Sequence, residues 1–430
     1  MLTYSQSIQL LFSLERLGMK FGLEGIKRLL KELKNPHRAF PSIHVAGTNG
    51  KGSTSSMLAS ILSAAGYKTA LYTSPHLVDF EERIRINGRM IPRGAVARLT
   101  TQLKRSIGRN NPTFFEATTA IAFAWFAEQE VDIAVVETGL GGRLDSTNVL
   151  NPLCSLITNI GLEHTEILGN TVAKIAFEKG GIIKPKTPCI TGVDDPKALA
   201  VIRKICREQR AQLFSASPFK ARVRSAGLGG TVVDFSIDKT AYPKLQLSLA
   251  GHHQLSNLAI ALKAVHVLRN ATSFEISHEA VYAGLSSIQE RSGLLGRLSV
   301  VHENPLIVVD VAHNPDATWN LLNVWKRLKC RKPVLVFGVV KDKDYMTMAR
   351  TLARLAERVI VVAARTPRSR PASDIAAVFE RLNCETHAAL SVEAGVNLAM
   401  NLAGAGGTVL VTGSHFVVGE ALEALRRKRP

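Results

Sequence analysis

Apolar positions along this chain recur with two different periods. After Ser53, apolar residues fall at Met57, Leu58, Ile61, Leu62 and Ala65, a helical spacing that Gly66 stops. Between such stretches stand short β-branched runs at 43–46, 69–72, 133–137, 155–159 and 189–191, which predict strands. Helices are predicted over 53–65, 116–128 and 172–179. This alternation predicts a parallel sheet with helices on both faces.

Residues 214–249 read differently. Short alternating runs, interrupted by glycines at 227–230 and by Pro243, predict a small antiparallel sheet, and helix resumes over 254–268. A second alternating series begins near 298, with strands at 306–311, 334–337, 359–362 and 408–411. Glycines break both patterns around 291–296. The predicted fold is therefore α/β with two domains. Residues 1–293 form a P-loop-type nucleotide-binding domain with an antiparallel subsheet, and residues 297–430 form a Rossmann-like domain.

The run into the first helix carries the clearest chemistry. Gly47-Thr48-Asn49-Gly50-Lys51-Gly52-Ser53 joins a strand to a helix start through three glycines. Backbone N–H groups at such a junction, with the positive end of the helix dipole, cradle a phosphate. Lys51 can reach the outer oxygens, and Ser53 can offer a hydroxyl to magnesium. The usual phosphate loop has glycine where this chain has Val45 and a hydroxyl residue where it has Gly52. An ordinary glycine turn with a solvated Lys51 is the alternative; the density of glycines and hydroxyls favours a nucleoside triphosphate.

Composition narrows the class. The 430 residues are 46% hydrophobic and 21% charged, enough for packed cores, and no apolar run reaches the roughly 18 residues of a membrane span. The opening segment lacks a signal-peptide pattern, and five scattered cysteines form no Cys-x-x-Cys pair, so a reduced, cytoplasmic setting is expected. The net charge of +19 permits nucleic acid as a partner. The basic residues are spread out, however, and no aromatic-interleaved RNA-binding motif or finger pattern is present, so a nucleotide enzyme with polyanionic substrates fits at least as well.

In a parallel sheet, ligands gather at the carboxyl ends of the strands. Ser74 follows the second predicted strand, Glu137 ends the third, and His164 follows the fourth. Each alone has a plainer reading: a turn serine, a paired strand-end carboxylate, a satisfied polar histidine. Together with Ser53 they compose a metal set, in which Ser53, Ser74 and Glu137 hold one magnesium ion and His164 with Glu137 a second.

The loop at 47–53, Thr73-Ser74-Pro75-His76-Leu77, the run from Glu137 to Asn148, and Asp310-Val311-Ala312-His313-Asn314-Pro315 resemble the folylpolyglutamate synthase/dihydrofolate synthase family of Mur-ligase-like ATP-dependent amide ligases. The resemblance spans nearly the whole chain, and its members share the same departures from the usual phosphate loop. It implies that a substrate carboxylate attacks the γ-phosphate of ATP, and that the amine of L-glutamate then displaces phosphate. Lys51, Glu137, His164, Lys179 and His313 would act at the transferring group, with two magnesium ions. Lys179 would be carbamylated; on local pattern it is a helix C-terminal lysine favoured by the dipole.

By the same resemblance Asn257 would contact adenine, and Arg297 and Asp310 the phosphates and ribose. A helix-start polar cluster and an interdomain ion pair are the local alternatives. The pterin would lie among Phe21, Gly22 and Leu23, Thr113, Phe114 and Phe115, and Leu144, Asp145 and Ser146, although aromatic residues before a helix also serve a core. His415 would meet the incoming glutamate or the pterin. Residues 74–88 would form a mobile loop that shapes the folate site. Only 46 residues precede the phosphate loop, which disfavours a cell-wall ligase with a domain for a UDP moiety. The function expected is ligation of L-glutamate to 7,8-dihydropteroate or a reduced folate by a monomer. Other amino-acid ligases, a small-molecule kinase and a basic ATP-dependent nucleic-acid-binding protein are the competing classes.

Overall fold

The computed structural model describes residues 1–18, 20, 22–356 and 358–427. Among these, three sheets carry the chain. The first contains β1 (Ser42–Ala46), β2 (Thr69–Tyr72), β3 (Ile84–Ile86), β4 (Arg89–Met90), β5 (Ile133–Glu137), β6 (Cys154–Ile157), β7 (Cys189–Thr191) and β8 (Leu213–Ser215), in the order β4-β3-β2-β5-β1-β6-β7-β8. Its core is parallel, with Val45 opposite Glu137 on one side of β1 and Ala46 opposite Ile157 on the other. The last residues of β5, β1 and β6 therefore emerge along one crest.

The second sheet is an antiparallel meander of β9 (Phe219–Gly227), β10 (Gly230–Ile237) and β11 (Thr240–Leu247). Two details differ from the sequence reading. Residues 213–215 do not begin this sheet; they pair in parallel with β7 as the edge of the first. Pro243 does not break a strand but lies inside β11, at the edge of its sheet and beside a register shift, where a missing N–H forfeits no ladder bond.

The third sheet, in the order β12-β13-β17-β14-β15-β16, contains β12 (Ser299–Glu303), β13 (Leu306–Val309), β14 (Val334–Phe337), β15 (Arg358–Val361), β16 (Glu385–Ala388) and β17 (Thr408–Thr412). Only β12 runs antiparallel to its neighbour. Alternation along its strands feeds two apolar layers. Leu335, Phe337, Trp325 and Phe379 pack on one face, and Val336, Ile360, Val411 and Val418 on the other.

The helix Lys51–Ala64 after the phosphate loop is buried almost all round rather than along one stripe. Small residues permit this. The helix His278–Ser286 comes so close that a Cβ on Gly284 would stand 2.6 Å from the Ile61 Cα, and Ser60 Oγ donates to the Gly284 carbonyl at 2.6 Å. Met57, Leu58, Ile61 and Leu62 are fully buried, each contributing roughly 1.5–3 kcal/mol against exposure.

The two sheet-bearing halves touch beside the crest. Leu77 and Val78, in the loop after β2, pack against the second apolar layer of the third sheet. Arg426 in the helix His415–Arg427 pairs with Asp79 at 2.8 Å. Among the described residues no helix is long and apolar enough to cross a membrane.

Candidate active site

The phosphate loop owes its shape to two glycines. Gly47 has φ +153°, and a Cβ there would lie 1.8 Å from Thr158 Oγ1. Gly50 has φ +86°, and its Cβ would lie 2.3 Å from Asn257 Oδ1. The exit of β6 pins the loop from the side. Thr48 N–H donates to the Asn159 carbonyl at 3.0 Å, Asn49 N–H to Asn159 Oδ1 at 2.7 Å, and Thr158 Oγ1 to the Asn49 carbonyl at 2.7 Å. The first N–H groups of the helix are thereby presented to the crest, where they have no carbonyl of their own turn to bind.

Lys51 folds back on this loop, donating to the Gly47 carbonyl at 3.0 Å and the Thr48 carbonyl at 3.2 Å. Lys179, only 3% exposed at the end of the helix Val172–Gly180, donates to the same Gly47 oxygen at 2.7 Å. Burial, with Lys51 adding repulsion, lowers the Lys179 pKa to about 7.

Glu137 ends β5 beneath the loop and is buried. Burial raises its pKa to about 6, although Lys51, Arg297 and the Ser74 N–H all favour the carboxylate. Gly52 lies beside this meeting at ordinary contact distance. A Cβ there would touch Glu137 Oε2 at 3.6 Å and Arg297 Nη2 at 3.8 Å. A buried carboxylate left short of compensating charge, near two serine hydroxyls, is a donor set suited to a hard cation. Among the described residues no group of three or more His, Cys, Asp and Glu side chains forms a ready-made metal site, so hydroxyls and ligand oxygens would complete any coordination.

The third sheet provides the opposite wall. Asp310, just past β13, accepts Leu298 N–H at 3.0 Å and Ala312 N–H at 2.9 Å, and burial raises its pKa. Asn314 caps the helix Pro315–Arg327 through Ala317 N–H at 2.8 Å while its amide reaches Asn49 Oδ1 at 3.3 Å. His313 Nε2 stands 3.2 Å from Glu163 Oε1, and the His415 ring lies 5.1 Å from the His313 ring. Burial pushes Glu163 up, but the hydrogen bond from His313 and the nearby Lys51 outweigh it and hold the carboxyl well below its usual range. Burial lowers the His164 pKa to about 4 against the opposing pull of Glu163, with Lys343, Lys179 and Lys51 lowering it further. The same cause pushes His415 well below the ordinary imidazole value. His164 also holds φ +50°, an uncommon backbone state for a residue with a side chain.

One cleft is lined by Thr48, Asn49, Gly50, Lys51, Gly52, Ser53, Ser74, Glu137, His164, Lys179, Asn257, Arg297, Asp310, His313 and His415. Gly47 sits behind this lining as the acceptor for both lysines. Glu163, His253, Gln254 and Asn320 share the cleft and were not singled out from sequence. Glu163 had a usable signal, since it follows a strand end directly beside His164.

The residues expected around a pterin form an adjoining patch. Phe21 lies outside the described residues, and Gly22 and Leu23 lead into the helix Glu24–Glu32. Thr113 caps the helix Phe114–Glu128, exchanging bonds with Glu116. Phe114 stacks on Phe12 with centroids 5.3 Å apart, beneath the Arg83 guanidinium. Phe115 crowds Gly139, where a Cβ would meet its ring at 2.6 Å. Asp145 accepts the N–H groups of Gly139 and Leu140, each at 2.9 Å, and Ser146 opens a short turn behind it. Leu144 lies in the loop before that turn, and Gly139 and Leu140 themselves line the cleft, so the patch and the cleft are continuous.

Residues 45–265 match the Mur ligase middle domain family, and residues 296–415 match the Mur ligase, glutamate ligase domain family. Over 420 residues the chain is 35% identical to the dihydrofolate synthase/folylpolyglutamate synthase of Bacillus subtilis, covering 96% of each. The structure is similar to that of Mycobacterium tuberculosis folylpolyglutamate synthase complexed with ADP, with a TM-score of 0.87, 31% identity and 99% of each chain covered. It is also similar to an Escherichia coli protein solved in complex with DHPP and ADP, with a TM-score of 0.85, 32% identity, and 99% of this chain and 98% of that one covered.

Proposed function

This chain belongs to the folylpolyglutamate synthase/dihydrofolate synthase family of Mur-ligase-like enzymes, and from that premise we propose that it joins L-glutamate to 7,8-dihydropteroate and also to tetrahydrofolate polyglutamates, driven by cleavage of ATP. The observation that carries the reading is the convergence of Lys51, Glu137 and Lys179 from one half with Arg297, Asp310 and His313 from the other in a single cleft.

The substrate carboxylate attacks the γ-phosphorus, ADP departs, and the glutamate amine then displaces phosphate from the acyl phosphate. The phosphate loop N–H groups grip the triphosphate, and Lys51 exchanges the Gly47 and Thr48 carbonyls for phosphoryl oxygens. Asn257 contacts the adenine, and Arg297 and Asp310 fix phosphates and ribose. Two magnesium ions, one on Ser53, Ser74 and Glu137 and one on Glu137 and His164, would neutralise charge on the transferring group. Lys179 is the residue for a carbamate, because a buried amine with a pKa near 7 keeps a large neutral fraction able to take up carbon dioxide. The patch from Phe114 and Phe115 to Leu144, Asp145 and Ser146, with Gly22, Leu23, Thr113 and His415, takes the pterin and its glutamyl end.

In this reading the halves 1–293 and 297–430 are separate domains, and the enzyme acts as a cytoplasmic monomer. The test is to incubate purified protein with ATP, magnesium, L-glutamate and either pteroate or a reduced folate, and to weigh the pterin. A gain of one glutamyl unit, with ADP and phosphate released only when acid and amine are both present, is expected. ATP cleavage with the acid alone, yielding a stable phosphorylated product, or turnover that requires nucleic acid, overturns it.

A further inference from the structure

His44 stands in the middle of β1, wholly buried, on the face of the sheet opposite Ile43 and Val45. Its Nε2 lies 2.8 Å from Thr147 Oγ1. The Thr147 hydroxyl lies 2.5 Å from Asp145 Oδ1, and the Thr147 N–H donates to the same oxygen at 3.0 Å. Asp145 Oδ2 accepts the N–H groups of Gly139 and Leu140, two residues that line the cleft. A carboxylate that accepts three backbone N–H groups is ionised and offers no proton of its own. The Thr147 hydroxyl therefore gives its one hydrogen to Asp145, and its oxygen accepts from His44. The chain of bonds has a single direction, from His44 Nε2–H to Thr147 and from Thr147 O–H to Asp145. We propose that His44 is a positioning residue for the pterin acceptor: from within the sheet it fixes the Thr147 hydroxyl and the Asp145 carboxylate, and through them the Gly139–Leu140 edge of the acceptor patch.

The surroundings support this assignment. His44 Nδ1 is buried and has no hydrogen-bond partner among the described residues, so Nε2 is the only ring nitrogen whose proton is used. Burial, with Lys184 adding repulsion, lowers the His44 pKa to about 3 and keeps the ring neutral. Lys184 is itself engaged, donating to the Asn148 carbonyl at 2.8 Å. Asn148 Nδ2 donates to the carbonyls of Arg143 and Gly181 at 2.9 and 3.0 Å, which anchors the far end of the turn. His44 holds the near end from beneath. Neither His44 nor Thr147 lines the cleft, so their influence on an acceptor passes through Asp145. Phe115 crowds Gly139 from the other side, so a shift of Asp145 alters the surface that a flat ring would meet. The inference rests on the acceptor patch of the proposed function.

The experiment compares the full-length wild type with His44→Leu, which removes the donor, and with His44→Gln, which keeps an N–H in the place of Nε2. KM for 7,8-dihydropteroate should rise roughly tenfold in His44→Leu, with kcat and ADP affinity within about twofold, and His44→Gln should recover most of the loss. Thr147→Val should give the same rise, and adding His44→Leu to it should give no more, because the link is already cut. An unchanged KM in His44→Leu, additive rises in the double variant, or equal losses in KM, kcat and ADP affinity overturn the proposal. In spectra of the protein with ¹⁵N-labelled histidine, His44 is assigned by the signal lost in His44→Gln. A proton on Nε2 alone is expected, and one on Nδ1 overturns the proposal even if His44→Leu fails to fold. A wild type that binds dihydropteroate but transfers no glutamate overturns the proposed function instead, and dissociation constants then replace KM in the same comparison. A wild type that binds no dihydropteroate overturns both.

Discussion

Lys51 and Lys179 converge on one acceptor, the Gly47 carbonyl oxygen, at 3.0 and 2.7 Å. Two ammonium groups this close disfavour each other, and the more deeply buried Lys179 yields, its pKa falling to about 7 through burial and then through Lys51. The neutral amine is the form that adds carbon dioxide. In ¹³C-labelled bicarbonate the wild type should give a carbamate signal that grows as pH rises through about 7 and is absent from Lys179→Arg. A wild-type spectrum without that signal at pH 8.5 would remove the carbamate.

Glu137 is a carboxylate whose placement costs stability. Its folded pKa of about 6 lies above the ordinary value, so the native state binds more protons than the unfolded chain between roughly pH 4.5 and 6. Stability from this group is therefore present below that window and lost as pH rises through it, by an amount on the order of 2 kcal/mol. Glu137→Gln should match or exceed the wild-type melting temperature at pH 8 while losing turnover about 10²-fold or more. Calorimetry paired with an ADP-release assay checks both halves of the expectation.

Gly50→Ala tests the loop. An alanine at φ +86° is strained by roughly 1–2 kcal/mol. Its methyl would also press on Asn257, whose amide is tied to Gln254 Oε1 at 2.9 Å. Nucleotide affinity should drop at least about tenfold, the equivalent of 1.4 kcal/mol, in ADP titrations. Unchanged ADP binding would show that the loop is not the nucleotide grip.

Gly419→Val tests the contact between the halves. A Cβ at Gly419 would stand 2.0 Å from the Leu77 carbonyl oxygen, so a branched side chain must push the loop after β2 away from the helix that begins at His415. KM for the folate acceptor should rise severalfold, and ADP affinity should fall less, because the phosphate-loop grip of the first half is untouched and only the Arg297 and Asp310 contacts loosen. Equal losses in both would mean that the substitution merely unfolds the protein.

The parallel core was legible because its strands are short, apolar and bounded by glycine and polar turns. The bounds of β2, β5, β7 and β14 are those the pattern predicts. The hairpin of β3 and β4 was not, since three and two residues mixed with arginine carry no period. The helix Arg93–Asn110 escaped notice as well, because lysine, arginine and threonine dilute its stripe of Val96, Leu99, Leu103 and Ile107. Cleft residues at strand ends could be found from sequence because a parallel sheet delivers them to one crest. Glu163 was legible only as a strand-end neighbour of His164; its contact with His313, 150 residues away, was not. Thr113 and Asp145 show the opposite difficulty: both are occupied in capping and turn bonds that a sequence match does not reveal.

The helix that starts at Lys51 is walled in by neighbours on almost every side, and its serines and alanines are small so that those neighbours can approach. A fuel grip anchored so deeply is insulated from drift at the periphery. Efforts to redirect this enzyme toward unfamiliar acids belong around Phe114 and Leu144, and should leave the stretch from Ser53 to Ile61 alone.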